Sequence, residues 1–201
     1  MNSAKLRRVI VLLLLLACVN AHGLAQDDSV VSLQAANNLG FLQPRSMDEI
    51  INTTGLRAYQ NANRTGRGVR IGVLDTVFGE LAELQGRMAD TIFVLPEDTM
   101  ADYNDDVSTH GTDVLEIIHT IAPRATLYVC RYRNYERFVR CIDWLINNGV
   151  HIINHSAGVP ALPLDGSNVW AREVTRAANA NILWVNAAGN FAGGYITNGA
   201  S

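Results

Sequence analysis

The 201-residue sequence predicts an α/β fold: a doubly wound, mostly parallel sheet flanked by helices. Three observations carry that expectation. Short β-rich runs alternate with stretches of helical periodicity, as in successive βαβ units. The β-rich runs are nearly continuous in apolar residues, which fits strands covered on both faces. Hydrophobic residues make up 48% of the chain and charged ones 17%, a balance that buries a core and excludes a disordered or low-complexity chain.

Taken in order, Val69 to Leu74 is the first strand. Asp113 to Ile121 has helical spacing, and Ala125 to Cys130 again reads as a strand. Tyr135 to Asn148 is a helix that sets Phe138, Cys141, Ile142 and Leu145 on one face and stops at Asn147-Asn148-Gly149. Val150 to Asn154 is a third strand, Asn168 to Ala180 a helix, and Ile182 to Ala187 a fourth strand. In such sheets reacting groups collect beyond the carboxyl ends of the strands. Three polar sets fall there: Asp75-Thr76, His155-Ser156-Ala157-Gly158 and Ala188-Gly189-Asn190. His110-Gly111-Thr112 opens a helix, where backbone N–H groups and the macrodipole favour an oxyanion.

The N-terminus reads as an export signal. Val9 to Ala17 is an unbroken apolar run after Lys5, Arg7 and Arg8, and Gly23-Leu24-Ala25 offers small residues for cleavage before Gln26. The run is too short for a membrane span, which takes about 20 apolar residues. Leu15-Leu16-Ala17-Cys18 is an alternative lipobox that would leave a lipid anchor at Cys18. Either route predicts a secreted, periplasmic or cell-envelope protein. Residues 1–25 are read as signal peptide and 26–46 as a polar lead-in.

The net charge of −3 conceals that signal, since removing its three basic residues leaves 13 basic against 19 acidic ones, a net −6. Such a body is poorly suited to nucleic acid. Arg131, Arg133, Arg137 and Arg140 cluster, but acidic neighbours and helical phase favour a solvated face. Cys130 and Cys141 could bridge in an oxidising compartment; two separate buried thiols are the simpler expectation.

The ordered set of motifs resembles the subtilisin-like serine peptidases over residues 47–195. The match comprises Gly68-Val69-Arg70-Ile71-Gly72-Val73-Leu74-Asp75-Thr76, His110-Gly111-Thr112, Ile152-Ile153-Asn154-His155-Ser156-Ala157-Gly158 and Asn186-Ala187-Ala188-Gly189-Asn190. The resemblance implies that His110 is the general base toward a serine hydroxyl, that Asp75 fixes its tautomer, and that Asn190 donates to the oxyanion. It also implies that Ser156, Ala157 and Gly158 form one wall of the substrate pocket, and Ala187, Ala188 and Gly189 the other.

Two segments depart from the family pattern. Val77 stands where glycine is usual and implies a different turn; Leu115 and Glu116 stand where small residues are usual and imply a larger groove or an altered neighbour. The family's nucleophile lies in a Gly-Thr-Ser motif several dozen residues after the oxyanion asparagine. Here 11 residues follow Asn190 and no Gly-Thr-Ser occurs, so residues 47–201 are expected to be a C-terminally incomplete peptidase domain. The expected function is a secreted serine endopeptidase acting on polypeptides; the alternative is a catalytically inactive, subtilisin-like peptide-binding module.

The remaining polar residues have simpler readings. His151 and His155 lie about 13 Å apart along a strand, too far to share a metal, and with His119 are expected to be structural. Asp102, Asp105 and Asp106 could ligate calcium, although a solvated acidic loop is the plainer expectation. No cofactor is expected. Gly189-Asn190-Phe191-Ala192-Gly193-Gly194 lacks the G-x-G-x-x-G spacing of a nucleotide site. Asn52-Thr53-Thr54 and Asn63-Arg64-Thr65 are glycosylation sequons, relevant only in a eukaryotic secretory route.

Overall fold

The computed structural model describes residues 46–187 apart from 85, 89–91, 105 and 159–165. The signal peptide, Cys18, most of the lead-in, Asp105, Ala188, Gly189 and Asn190 lie outside the described residues. Two short helices come first, α1 (Met47–Thr53) and α2 (Leu56–Asn61). The Ser46 hydroxyl caps α1 by accepting from the Glu49 N–H at 3.2 Å. Their buried apolar residues are Ile51 and Leu56, too few to give a readable period.

The strands and longer helices then alternate: β1 (Arg70–Asp75), β2 (Ile92–Val94), α3 (His110–Ile121), β3 (Thr126–Arg131), α4 (Tyr135–Asn147), β4 (Ile152–His155), α5 (Val169–Asn179) and β5 (Leu183–Asn186). All strand pairs are parallel, in the order β2-β3-β1-β4-β5. The expected α/β architecture is present, with β2 as an additional strand at one edge.

Period-two alternation assigns the strand residues to two cores. Ile71, Val73 and Ile152 join Val114, Leu115 and Ile118 of α3 together with Ile51 and Leu56. Leu74 and Ile153 join Phe138, Ile142 and Leu145 of α4 together with Ala177 of α5. Each fully buried Leu, Ile or Phe contributes about 1.5–3 kcal/mol, so the two layers hold the helices to the sheet. On the α4 face the packing is closest at Gly72, where a Cβ would stand 2.8 Å from Leu145 Cδ2.

Cys130 at the end of β3 and Cys141 in α4 form a disulfide, with Cα atoms 5.8 Å apart. This corrects the expectation of two separate thiols: α4 folds back over β3 and brings the pair within bridging distance. The expected solvated arginine face is also only partly so. Arg131 lies over the Tyr103 ring at 4.5 Å from its centroid, and Arg137 pairs with Glu97 at 2.8 Å and with Asp98.

The strand order locates the site. From β1 the chain moves to the β2 edge, and from β4 it moves to the β5 edge. The adjacent carboxyl ends of β1 and β4 therefore form a topological switch point, where open α/β sheets leave a crevice.

Candidate active site

Asp75 closes β1 with its side chain only 2% exposed. Its Oδ1 accepts from the Thr76 N–H at 2.7 Å, and its Oδ2 lies 2.7 Å from Nδ1 of His110, the first residue of α3. The carboxylate can only accept, so Nδ1 carries the proton of this contact and the neutral ring has its basic lone pair on Nε2. The Asp75 hydrogen bond raises the imidazole above the ordinary histidine range; partial burial opposes it, and the charges of Asp75 and Asp113 add to it.

The His110 end of α3 is tied to the loop after β1 by crossed hydrogen bonds. The Gly111 N–H donates to the Val77 carbonyl at 3.1 Å, and the Gly79 N–H to the Ser108 carbonyl at 2.9 Å. The Thr112 hydroxyl donates to the Gly79 carbonyl at 2.8 Å. A Cβ at Gly111 would stand 2.5 Å from that Val77 oxygen and 2.6 Å from the Phe78 ring, so glycine is what permits the helix to start this close. Val77 takes no positive φ, and the turn accommodates it by using its carbonyl as the acceptor. Leu115 is fully buried in the core, while Glu116 points outward and pairs with Arg87 at 2.5 Å.

Asp106 anchors the same loop. Its buried carboxylate accepts from the Phe78 N–H at 2.8 Å, from Arg131 at 2.7 Å and from Arg133 at 2.5 Å. Asp102 accepts from the Thr99 backbone and hydroxyl. The expected solvated acidic loop is thus corrected at Asp106, which burial and two guanidinium groups make a structural anchor. Among the described residues no group of three or more His, Cys, Asp and Glu is placed to hold a metal ion. The sequence marked Asp106 only as acidic, because its arginine partners come from the end of β3 and the turn after it, 25 and 27 residues away.

Ser156, Ala157 and Gly158 extend β4, and Ala187 follows β5, at the carboxyl edge that Asp75 and His110 occupy. The Ser156 Oγ accepts from Asn154 Nδ2 at 2.9 Å. The Ala187 N–H donates to the His155 carbonyl at 3.0 Å, continuing the ladder past the end of β5. Gly158 faces open space, since a Cβ there would have no neighbour within 4 Å. His151 has its structural role at the start of this ladder, where its Nδ1 accepts from the Arg70 N–H at 2.9 Å.

A buried carboxylate bonded to an imidazole at the switch point of a parallel sheet defines a class of α/β proteins equipped for proton abstraction. Residues 66–201 match the model of the subtilase family, Peptidase_S8, and the chain belongs to that family. The thermostable alkaline protease of Halalkalibacterium halodurans is 36% identical over 141 residues, which cover 62% of this chain and 36% of that protein. Subtilisin Savinase of Lederbergia lenta is 30% identical over 155 residues, covering 70% of this chain and 54% of that protein. The chain thus spans about half or less of the length of these relatives. Among solved structures, the prenylagaramide maturation protease PagA superposes with a TM-score of 0.51 at 24% identity, covering 68% of this chain and 51% of that one, a likeness of fold.

Proposed function

We propose that this chain is part of a secreted serine endopeptidase in which Asp75 and His110 activate a serine hydroxyl for attack on a peptide carbonyl. The observation that carries the reading is the 2.7 Å contact between Asp75 Oδ2 and His110 Nδ1, in a chain of the subtilase family. His110 takes the serine proton at Nε2 and returns it to the leaving amine. Asp75 holds the ring in the Nδ1–H tautomer and stabilises the imidazolium. Asn190 donates its amide to the oxyanion. Ser156, Ala157 and Gly158 supply one wall, and Ala187, Ala188 and Gly189 the other, of the pocket assigned to the residue before the scissile bond. The chemistry requires no cofactor.

No Gly-Thr-Ser occurs among the 201 residues, so the reading requires an in-frame segment after the codon for Ser201 that carries this motif. In the protein with that segment, His110→Ala abolishes hydrolysis of casein. Asn190→Ala lowers kcat by about 10²–10³ with KM little changed, the loss known for the oxyanion asparagine of a subtilisin. An unimpaired Asn190→Ala enzyme refutes the oxyanion role. A stop codon directly after Ser201, with peptide binding but no hydrolysis, replaces the enzyme by a peptide-binding module.

A further inference from the structure

Three polar side chains at the carboxyl edge take no part in the chemistry above. His155 ends β4 and Asn186 ends β5, and the two are register partners across the parallel pair. His155 is 6% exposed. Its ring packs among Tyr132, Phe138 and Trp184, with centroids 5.6, 5.6 and 5.7 Å away. Inside this apolar cage it has a polar partner on each ring nitrogen: Asn186 Oδ1 lies 2.6 Å from Nδ1, and the Tyr132 hydroxyl 2.6 Å from Nε2.

The donors and acceptors of this chain can be assigned by elimination. The Asn186 amide nitrogen faces two backbone carbonyls, that of Ala187 at 2.8 Å and that of Ala157 at 3.4 Å. Carbonyls only accept, so Nδ2 is the group turned toward them and Oδ1 the group turned toward His155. Oδ1 in turn only accepts, so His155 Nδ1 carries a proton, and Nε2 accepts from Tyr132. The Trp184 indole N–H also donates to Oδ1, at 3.3 Å. Burial favours the same neutral ring, since desolvation lowers the pKa of His155.

We propose that His155 is a positioning residue for substrate selection: as the Nδ1–H tautomer it locks the Asn186 amide, which ties the Ala157 and Ala187 carbonyls together and sets the gap between the pocket walls. The inference rests on the peptidase reading above, because it names what fixes the pocket of that same site. Alternation along β4 places His155 with Ile153 on the α4 face, whereas Asp75 follows Ile71 and Val73 toward α3. The reacting pair and the lock therefore lie on opposite faces of the sheet. Loosening the lock widens the gap without moving the base.

The test uses the full-length protein and tetrapeptide p-nitroanilides that differ only in Ala, Leu or Phe before the scissile bond. His155→Phe keeps a ring in the cage and removes both hydrogen bonds; His155→Asn restores an amide donor near the Nδ1 position. His155→Phe raises KM about five- to tenfold and narrows the spread of kcat/KM across the three substrates, with kcat within about twofold. His155→Asn recovers part of the loss. The His155→Phe/Asn186→Ala double variant is no worse than the poorer single variant, because both changes break one lock. If His155→Phe does not fold, Asn186→Ala must raise KM in its place, and Tyr132→Phe, which leaves the donor to Asn186 intact, must be milder. An active enzyme whose KM and selectivity are unchanged in these variants, or whose variants lose kcat alone, overturns this inference and leaves the peptidase reading standing. A full-length wild type that hydrolyses nothing overturns both.

Discussion

Histidines of one sheet edge are driven in opposite directions by their surroundings. His110 gains a carboxylate partner and its pKa rises; His155 is desolvated inside an aromatic cage and its pKa falls, although the Asn186 hydrogen bond and the more distant Asp75 charge oppose the shift. His119 also falls, through burial and the nearby Arg87 charge. The sign matters for activity, because His110 works as a base only when unprotonated. Hydrolysis is therefore expected to rise with pH along a limb whose midpoint lies above 6.5, the ordinary histidine value, when kcat/KM of the full-length protein is measured from pH 5 to 9. Asp75→Asn removes the anionic partner, so the limb of the residual activity moves to lower pH. A wild-type midpoint at or below 6.5 would exclude Asp75 as the dominant influence on the base. The motif residues themselves were legible in the sequence, since His110-Gly111-Thr112 and the strand ending in Asp75 are local patterns. Asp106 was not, because its role depends on Arg131 and Arg133, 25 and 27 residues further along the chain.

At the scale of elements, long and strongly patterned segments were the readable ones. The helix over Tyr135–Asn147 buries Phe138, Cys141, Ile142 and Leu145, the four residues its periodicity had set on one face. β2 has three residues, and α1 and α2 bury few apolar side chains, so none of the three carries enough repeat to register. The covalent tie between β3 and α4 was one of two readings the sequence left open, since whether two cysteines meet depends on where the helix packs. That tie closes a loop of 11-residue separation and restricts the unfolded chain. Replacing Cys130 and Cys141 together by alanine is expected to lower the unfolding free energy by about 2–3 kcal/mol, measured by urea denaturation. An unchanged midpoint with an unchanged slope would show that the bridge does not form in the isolated protein.

For the molecule as a whole, the charge distribution and the sheet order make separate statements. The basic, apolar N-terminus attached to an acidic body is the basis for proposing export, and no described helix is long and apolar enough to cross a membrane. Intact-mass analysis of the mature protein is expected to place its N-terminus at Gln26. An N-terminal Cys18 carrying lipid would instead establish the envelope-anchored route, and an intact Met1 would exclude both. The sheet order adds what charge cannot. Because β1 is central and the chain leaves β1 and β4 in opposite directions, Asp75 and the extension of β4 end beside one crevice.

Composition, the alternation of strand and helix patterns, and the order of four short motifs were determined by the sequence alone, because each is read along the chain without knowing which distant residues meet. Tertiary structure decided which residues come within bonding distance. Asp75 meets His110 across 35 residues, His155 meets Asn186 across 31, and Cys130 meets Cys141 only once α4 lies over β3. Chemical identity at a position is local, whereas distance between positions is set by parallel register and by the helices packed on each face of the sheet.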